Sequence, residues 1–79
     1  MMDDYIATFF SHFDALTFYS HITEVGAAAR LMPVPRKLSA SCGTCVAFSG
    51  AVGVSYSEFE VEAVFARGSA GYKAVWAAE

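Results

Sequence analysis

Both prolines of this chain, Pro33 and Pro35, flank a single valine, and that pair constrains the fold more than any other feature. Proline fixes its own φ and lacks a backbone N–H, so neither a helix nor a central strand runs through this point. Ahead of the break, Tyr5 to Phe10 is aromatic and β-branched and reads as a buried strand. Ser11 follows as a helix N-cap, and Asp14, three residues on, can return a hydrogen bond in the manner of a capping box. Ala15, Phe18 or Tyr19, Ile22 and Val25 then share one helical face, and Gly26 ends the helix. Ala28 to Met32 is the strand that the prolines stop. The first third of the chain is a strand–helix–strand unit.

Pro33 to Gly43 reads as a surface loop that holds Arg36-Lys37, the only adjacent pair of basic residues. Long irregular segments in small domains usually carry function. Cys45 to Phe48 resumes a short strand that ends near Ser49-Gly50. Ser55-Tyr56-Ser57-Glu58 offers a second capping box, and Glu58 to Arg67 fits a helix closed by Gly68, with Val61, Val64 and Phe65 toward the core. Glu58 to Ala63 also alternates with period two, as a half-exposed strand would. The cap, the glutamates and the glycine favour the helix. Tyr72 to Trp76 is the closing strand.

One domain, residues 1–79, accounts for this length. So short a chain buries only about 60% of its extended surface, and it needs an apolar sequence or association to be stable. Apolar residues make up 56% of it and charged residues 16%, against roughly 25% charged in an ordinary globular protein. Few charges remain to cover the surface, so an exposed apolar patch and a partner or homodimer are expected. With five basic residues against eight acidic ones and a net charge of −3, nothing resembles the basic stripe that neutralises several phosphates, and no nucleic-acid partner is expected. No apolar run is long enough to cross a bilayer. Met1-Met2-Asp3-Asp4 is acidic where a secretory signal would be basic, so a cytoplasmic protein is expected.

Chemistry concentrates in Ser41-Cys42-Gly43-Thr44-Cys45. A thiol attacks as its thiolate, which nearby positive potential and N–H donors favour. Arg36 and Lys37 lie upstream on the same loop, Gly43 leaves room beside the sulfur, and Ser39 and Ser41 add hydroxyl groups. Cys42 is therefore the candidate reactive residue, while Cys45, followed by Val46-Ala47-Phe48, reads as a buried hydrophobe or a possible second thiol. Two cysteines at this spacing suggest thiol chemistry or metal. The segment after them reads as a strand, so the helix that activates a thioredoxin-like pair is missing. Half of a zinc site is present, without its other half, and no metal is expected. His12 and His21 read as solvated helix residues, and Asp14 as a cap rather than a catalytic acid. Tyr5, Phe9, Phe10, Phe18 and Trp76 are most simply core, and Glu58, Glu60 and Glu62 a solvated face. No phosphate loop, carboxylate pair or serine triad is visible, and no cofactor is expected.

Several of these elements together resemble one family, the small selenium/sulfur carrier-like proteins. The matching residues are the strand Tyr5 to Phe10, the helix start Ser11-His12-Phe13-Asp14-Ala15-Leu16, Gly26, and above all Arg30-Leu31-Met32-Pro33-Val34-Pro35-Arg36-Lys37-Leu38-Ser39-Ala40-Ser41-Cys42-Gly43. The resemblance is good over residues 5 to 48 and loose afterwards, with extra residues near Gly50 to Val54. Cys45 lies outside the family's pattern and inherits no role. The resemblance implies that Cys42 accepts a sulfane sulfur or reduced selenium from a cysteine desulfurase or selenocysteine lyase-like donor and passes it on. Arg36 and Lys37 would then stabilise the anionic sulfur, and Gly43 and Ser41 would supply access and hydrogen bonds. This makes the protein a carrier rather than a turnover enzyme.

The order strand–helix–strand–strand–helix–strand leads to an α+β class. The expected architecture is a ferredoxin-like βαββαβ sandwich, a four-stranded antiparallel sheet with two helices on one face. The rival functions are a thiol–disulfide redox protein using Cys42 and Cys45, and a non-catalytic interaction module that dimerises through an apolar sheet face.

Overall fold

The computed structural model describes residues 5–38, 40–49, 56–69 and 71–78. Strand β1 (Tyr5–Phe9) leads into helix α1 (His12–Glu24), and β2 (Ala29–Pro33) and β3 (Thr44–Phe48) follow. A 3-10 turn (Tyr56–Phe59) then precedes β4 (Val61–Gly68) and β5 (Gly71–Ala77). All pairings are antiparallel, and the strands lie in the order β2-β3-β1-β4-β5. The α+β class stands, with one helix and five strands among the described residues in place of two helices and four strands.

The local signals around α1 act as read. Ser11 is the N-cap, its Oγ accepting from the Asp14 N–H at 3.2 Å. The returned bond runs from the Ser11 hydroxyl to Asp14 Oδ2 at 2.7 Å, so the acid is satisfied by the side chain of the cap. At the other end Gly26 takes φ +90°, a value that only glycine adopts readily. Its N–H bonds Thr23 O and that of Ala27 bonds Ile22 O, both at about 3.1–3.2 Å, which satisfies two carbonyls the helix leaves over. Ala15, Phe18 and Ile22 face the core, but Val25, at the C-cap, is exposed.

The second expected helix, Glu58 to Arg67, is the main correction. Tyr56–Phe59 makes a single 3-10 turn, Glu60 turns the chain with φ 55°, and residues from Val61 onward form a strand. Ser55, the cap of that expected helix, lies outside the described residues. The cap, the glutamates and the glycine that favoured the helix were misleading, and the three-residue spacing of Val61 and Val64 fits the strand only with an extra residue between them. On β1, Phe9 pairs with Val61 and its neighbour Thr8 with Ala63, so Glu62 is an extra residue in a β-bulge. The bulge shifts the alternation by one, and both valines face α1 from the same strand. Phe65, expected beside them, lies opposite Ile6 on the other face.

The main core lies between sheet and helix, with Ala7, Phe9, Val46, Phe48, Val61 and Val64 against Ala15, Phe18 and Ile22. Tyr5 and Trp76 pack on it partly buried, whereas Phe10, read as core, lies past the end of β1 and is 49% exposed. A smaller cluster of Ile6, Cys45 and Ala47 fills the other face, covered in part by Met32, Val34, Leu38 and Tyr72. Among the described residues, no helix is long and apolar enough to cross a membrane.

Candidate functional site

The hairpin between β2 and β3 presents Cys42. Pro33 ends β2 opposite Thr44, which an edge strand tolerates because proline's missing N–H is not needed there. One step beyond, the Val34 N–H bonds Gly43 O at 3.1 Å, so Gly43 is tied to the ladder and Cys42 sits just outside it. The loop then divides between the two sides of the sheet. Val34 and Leu38 pack on the Ile6, Cys45 and Ala47 cluster, with a turn closed by Leu38 N–H to Pro35 O at 3.0 Å. Arg36 and Lys37 stand exposed in that turn. Cys42, by contrast, packs on the helix-side core. Ser39 lies outside the described residues.

Cys42 is a free, half-buried thiol. Its Sγ donates to Thr44 O at 3.3 Å and accepts from the Thr44 N–H at 3.4 Å. The backbone N–H is a donor that an anionic sulfur keeps. Among the described residues, a methyl group built on Gly43 meets nothing within 4 Å beyond its own chain neighbours, so the position next to Cys42 has room for a side-chain carbon. Around this segment the structure gathers two residues read from the sequence as merely solvated. His12 Nδ1 lies 3.0 Å from Thr44 Oγ1, bringing the start of α1, the positive end of its dipole, to the Cys42 end of the sheet. Glu62 accepts from both the N–H and the hydroxyl of Ser41, at 3.0 and 2.9 Å. The period-two pattern around Glu62 was the signal for a strand there. Nothing local marked its reach to Ser41, 21 residues away.

Those contacts sit within a recognisable family. The family described as "Putative Se/S carrier protein-like" matches residues 4–74. The chain belongs to it. Neither the curated proteins nor the solved structures give a significant match. The match takes in the whole Cys42 hairpin and most of β5, beyond the region where the motif resemblance is strongest.

In this Se/S carrier-like chain the second cysteine is of a different kind. Cys45 is 0% exposed and belongs to the sheet face away from α1, with its sulfur donating to Pro33 O at 3.6 Å. Burial, aided by the nearby Cys42 and opposed by Arg30, pushes its thiol from 9.0 up to about 11. The unfolded chain ionises this thiol near pH 9 and the folded chain only near pH 11. Its burial therefore supports folding fully below pH 9, and that support is lost as the pH rises through 11. Urea titrations at pH 8 and pH 11 are expected to show the wild type losing roughly 2–3 kcal/mol more than Cys45→Ala over that interval. Equal losses would mean that the Cys45 thiol ionises alike in both states. Among the described residues no three His, Cys, Asp or Glu side chains gather to hold a metal ion.

Proposed function

We propose that this chain carries a sulfane sulfur, or the corresponding selenium, on Cys42, taking it from a desulfurase- or lyase-type donor and handing it to an acceptor. The supporting observation is the half-buried Cys42 sulfur, bonded by the Thr44 N–H, with room for a side-chain carbon at the adjoining Gly43. Membership of the carrier-like family supports the same reading. In the loading step the Cys42 thiolate attacks the outer sulfur of the donor's persulfide. A new S–S bond forms at Cys42, the donor's S–S bond breaks, and the donor's cysteine leaves as thiolate. No electrons are gained or lost overall, so the transfer needs no oxidant. A reducing compartment such as the cytosol keeps the unloaded thiol available.

Incubating the protein with a cysteine desulfurase and cysteine, followed by intact mass, tests this. A gain of about 32 Da, one sulfur atom, that reductant removes is the expected result. An unchanged mass beside an active desulfurase would defeat the proposal. Gly43→Ala serves as a second probe. Because the added methyl meets no described residue within 4 Å beyond its chain neighbours, its thermal midpoint is expected to match the wild type. Its loading rate is expected to fall severalfold, since the methyl stands where the donor's persulfide approaches. Loss of stability instead would show that Gly43 serves the fold.

The dithiol alternative fares worse on the same geometry. A thiol–disulfide cycle needs both sulfurs accessible and readily ionised, and Cys45 is sealed and resists ionisation.

A further inference from the structure

Glu62 has no partner opposite it on β1, because the register steps from the Phe9–Val61 pair directly to Thr8–Ala63. An inserted residue of this kind re-aims its side chain, which is why bulges recur beside functional sites. Here the re-aimed carboxylate reaches over the end of β1 to Ser41, the residue before Cys42. One oxygen accepts the Ser41 N–H at 3.0 Å and the other its hydroxyl at 2.9 Å. On the far side of Cys42, the Gly43 carbonyl is tied to Val34. Cys42 is thus suspended between two anchors, one on the β2–β3 ladder and one on β4.

The geometry points to Glu62 as a positioning residue that holds the Ser41–Cys42 backbone so that the sulfur stays against the Thr44 amide. An acid is a poor choice for stabilising an anionic sulfur by charge. Both its oxygens are engaged on Ser41, so what it supplies is hydrogen bonding. Its purpose rests on the carrier reading above, but the clamp can be examined without it.

Two readouts on the full chain separate the questions. The first is the rate at which iodoacetamide modifies Cys42 at constant pH, which requires no donor protein. Releasing the clamp frees the half-buried sulfur, so Glu62→Ala is expected to raise that rate roughly fivefold. Glu62→Gln keeps an oxygen acceptor for Ser41 and is expected to stay near wild type. Equal acceleration in both variants would mean that Glu62 acts through its charge, and no acceleration in either would mean that it holds nothing; each result overturns the proposal. Cys45 is the internal sentinel, since its continued protection shows an intact sheet. Should Glu62→Ala expose Cys45, Ser41→Ala, which removes one of the two bonds, decides in its place by the same criterion. The second readout is loading from a desulfurase, expected to slow about tenfold in Glu62→Ala and to recover largely in Glu62→Gln. A wild type that never loads defeats the carrier reading alone, and the alkylation rates still judge the clamp. A loading wild type with Glu62→Ala loading at the same rate defeats the positioning role alone.

Discussion

Serine in place of Cys42 is expected to abolish sulfur loading, whereas alanine in place of Cys45 is expected to leave its rate within about twofold. The difference follows from where the two side chains lie, although they are three residues apart. Cys42 stands outside the ladder, half-buried, with its sulfur against the Thr44 N–H and room for a side-chain carbon at Gly43. Cys45 is inside the ladder, paired with Thr8 and Met32 and sealed from solvent. Alkylation in the native state should report the same contrast, with one adduct at pH 8, on Cys42, and a second only after unfolding. Intact mass with peptide mapping reads both experiments. Persulfide appearing on Cys45 in the Cys42→Ser protein would show that the buried thiol is reached, and would reopen the two-cysteine mechanism.

The largest loss of stability is expected from Phe18→Ala. Phe18 is fully buried on α1, and its ring stands 5.4 Å from those of Phe9 and Phe48, 5.7 Å from Phe59 and 6.3 Å from Tyr56. It is the point at which the helix, two central strands and the 3-10 turn meet. Truncating a buried phenylalanine typically costs about 3–5 kcal/mol. A chain of this size has roughly 4–12 kcal/mol in total, so the variant is expected to be unfolded or near its midpoint in water. Phe18→Leu keeps most of the apolar volume and should remain folded with a lower urea midpoint. Circular dichroism through a urea series measures both. If Phe18→Ala unfolded within 1 kcal/mol or so of the wild type, the helix would not depend on this ring.

What could be read from the sequence divides by range. The cap at Ser11, the helical face of Ala15, Phe18 and Ile22, and the stop at Gly26 are decided by residues within a turn of one another, and the structure keeps all of them. Strands β1, β2, β3 and β5 lie within a residue or two of their expected ends for the same reason. The stretch from Glu58 to Arg67 could not be settled locally. Its valine spacing fits a helix turn or a bulged strand equally, and pairing with β1 decides between them. The Cys42 segment was legible because its composition is unusual. Its neighbours were not, since Glu62 and His12 come to it across 21 and, through Thr44, 32 residues of chain. The loop's basic pair was visible too, but Val34 and Leu38 turn that part of the loop toward the sheet face away from α1.

The inserted residue in β4 has a mechanical consequence. Surface hairpins ordinarily drift on their own, because nothing beyond their stems restrains them. This one is moored to a strand whose neighbours on either side, β1 and β5, are themselves hydrogen-bonded to it. On the clamp proposed above, the stiffness of the pleated framework is passed on to the segment that carries the Cys42 sulfur.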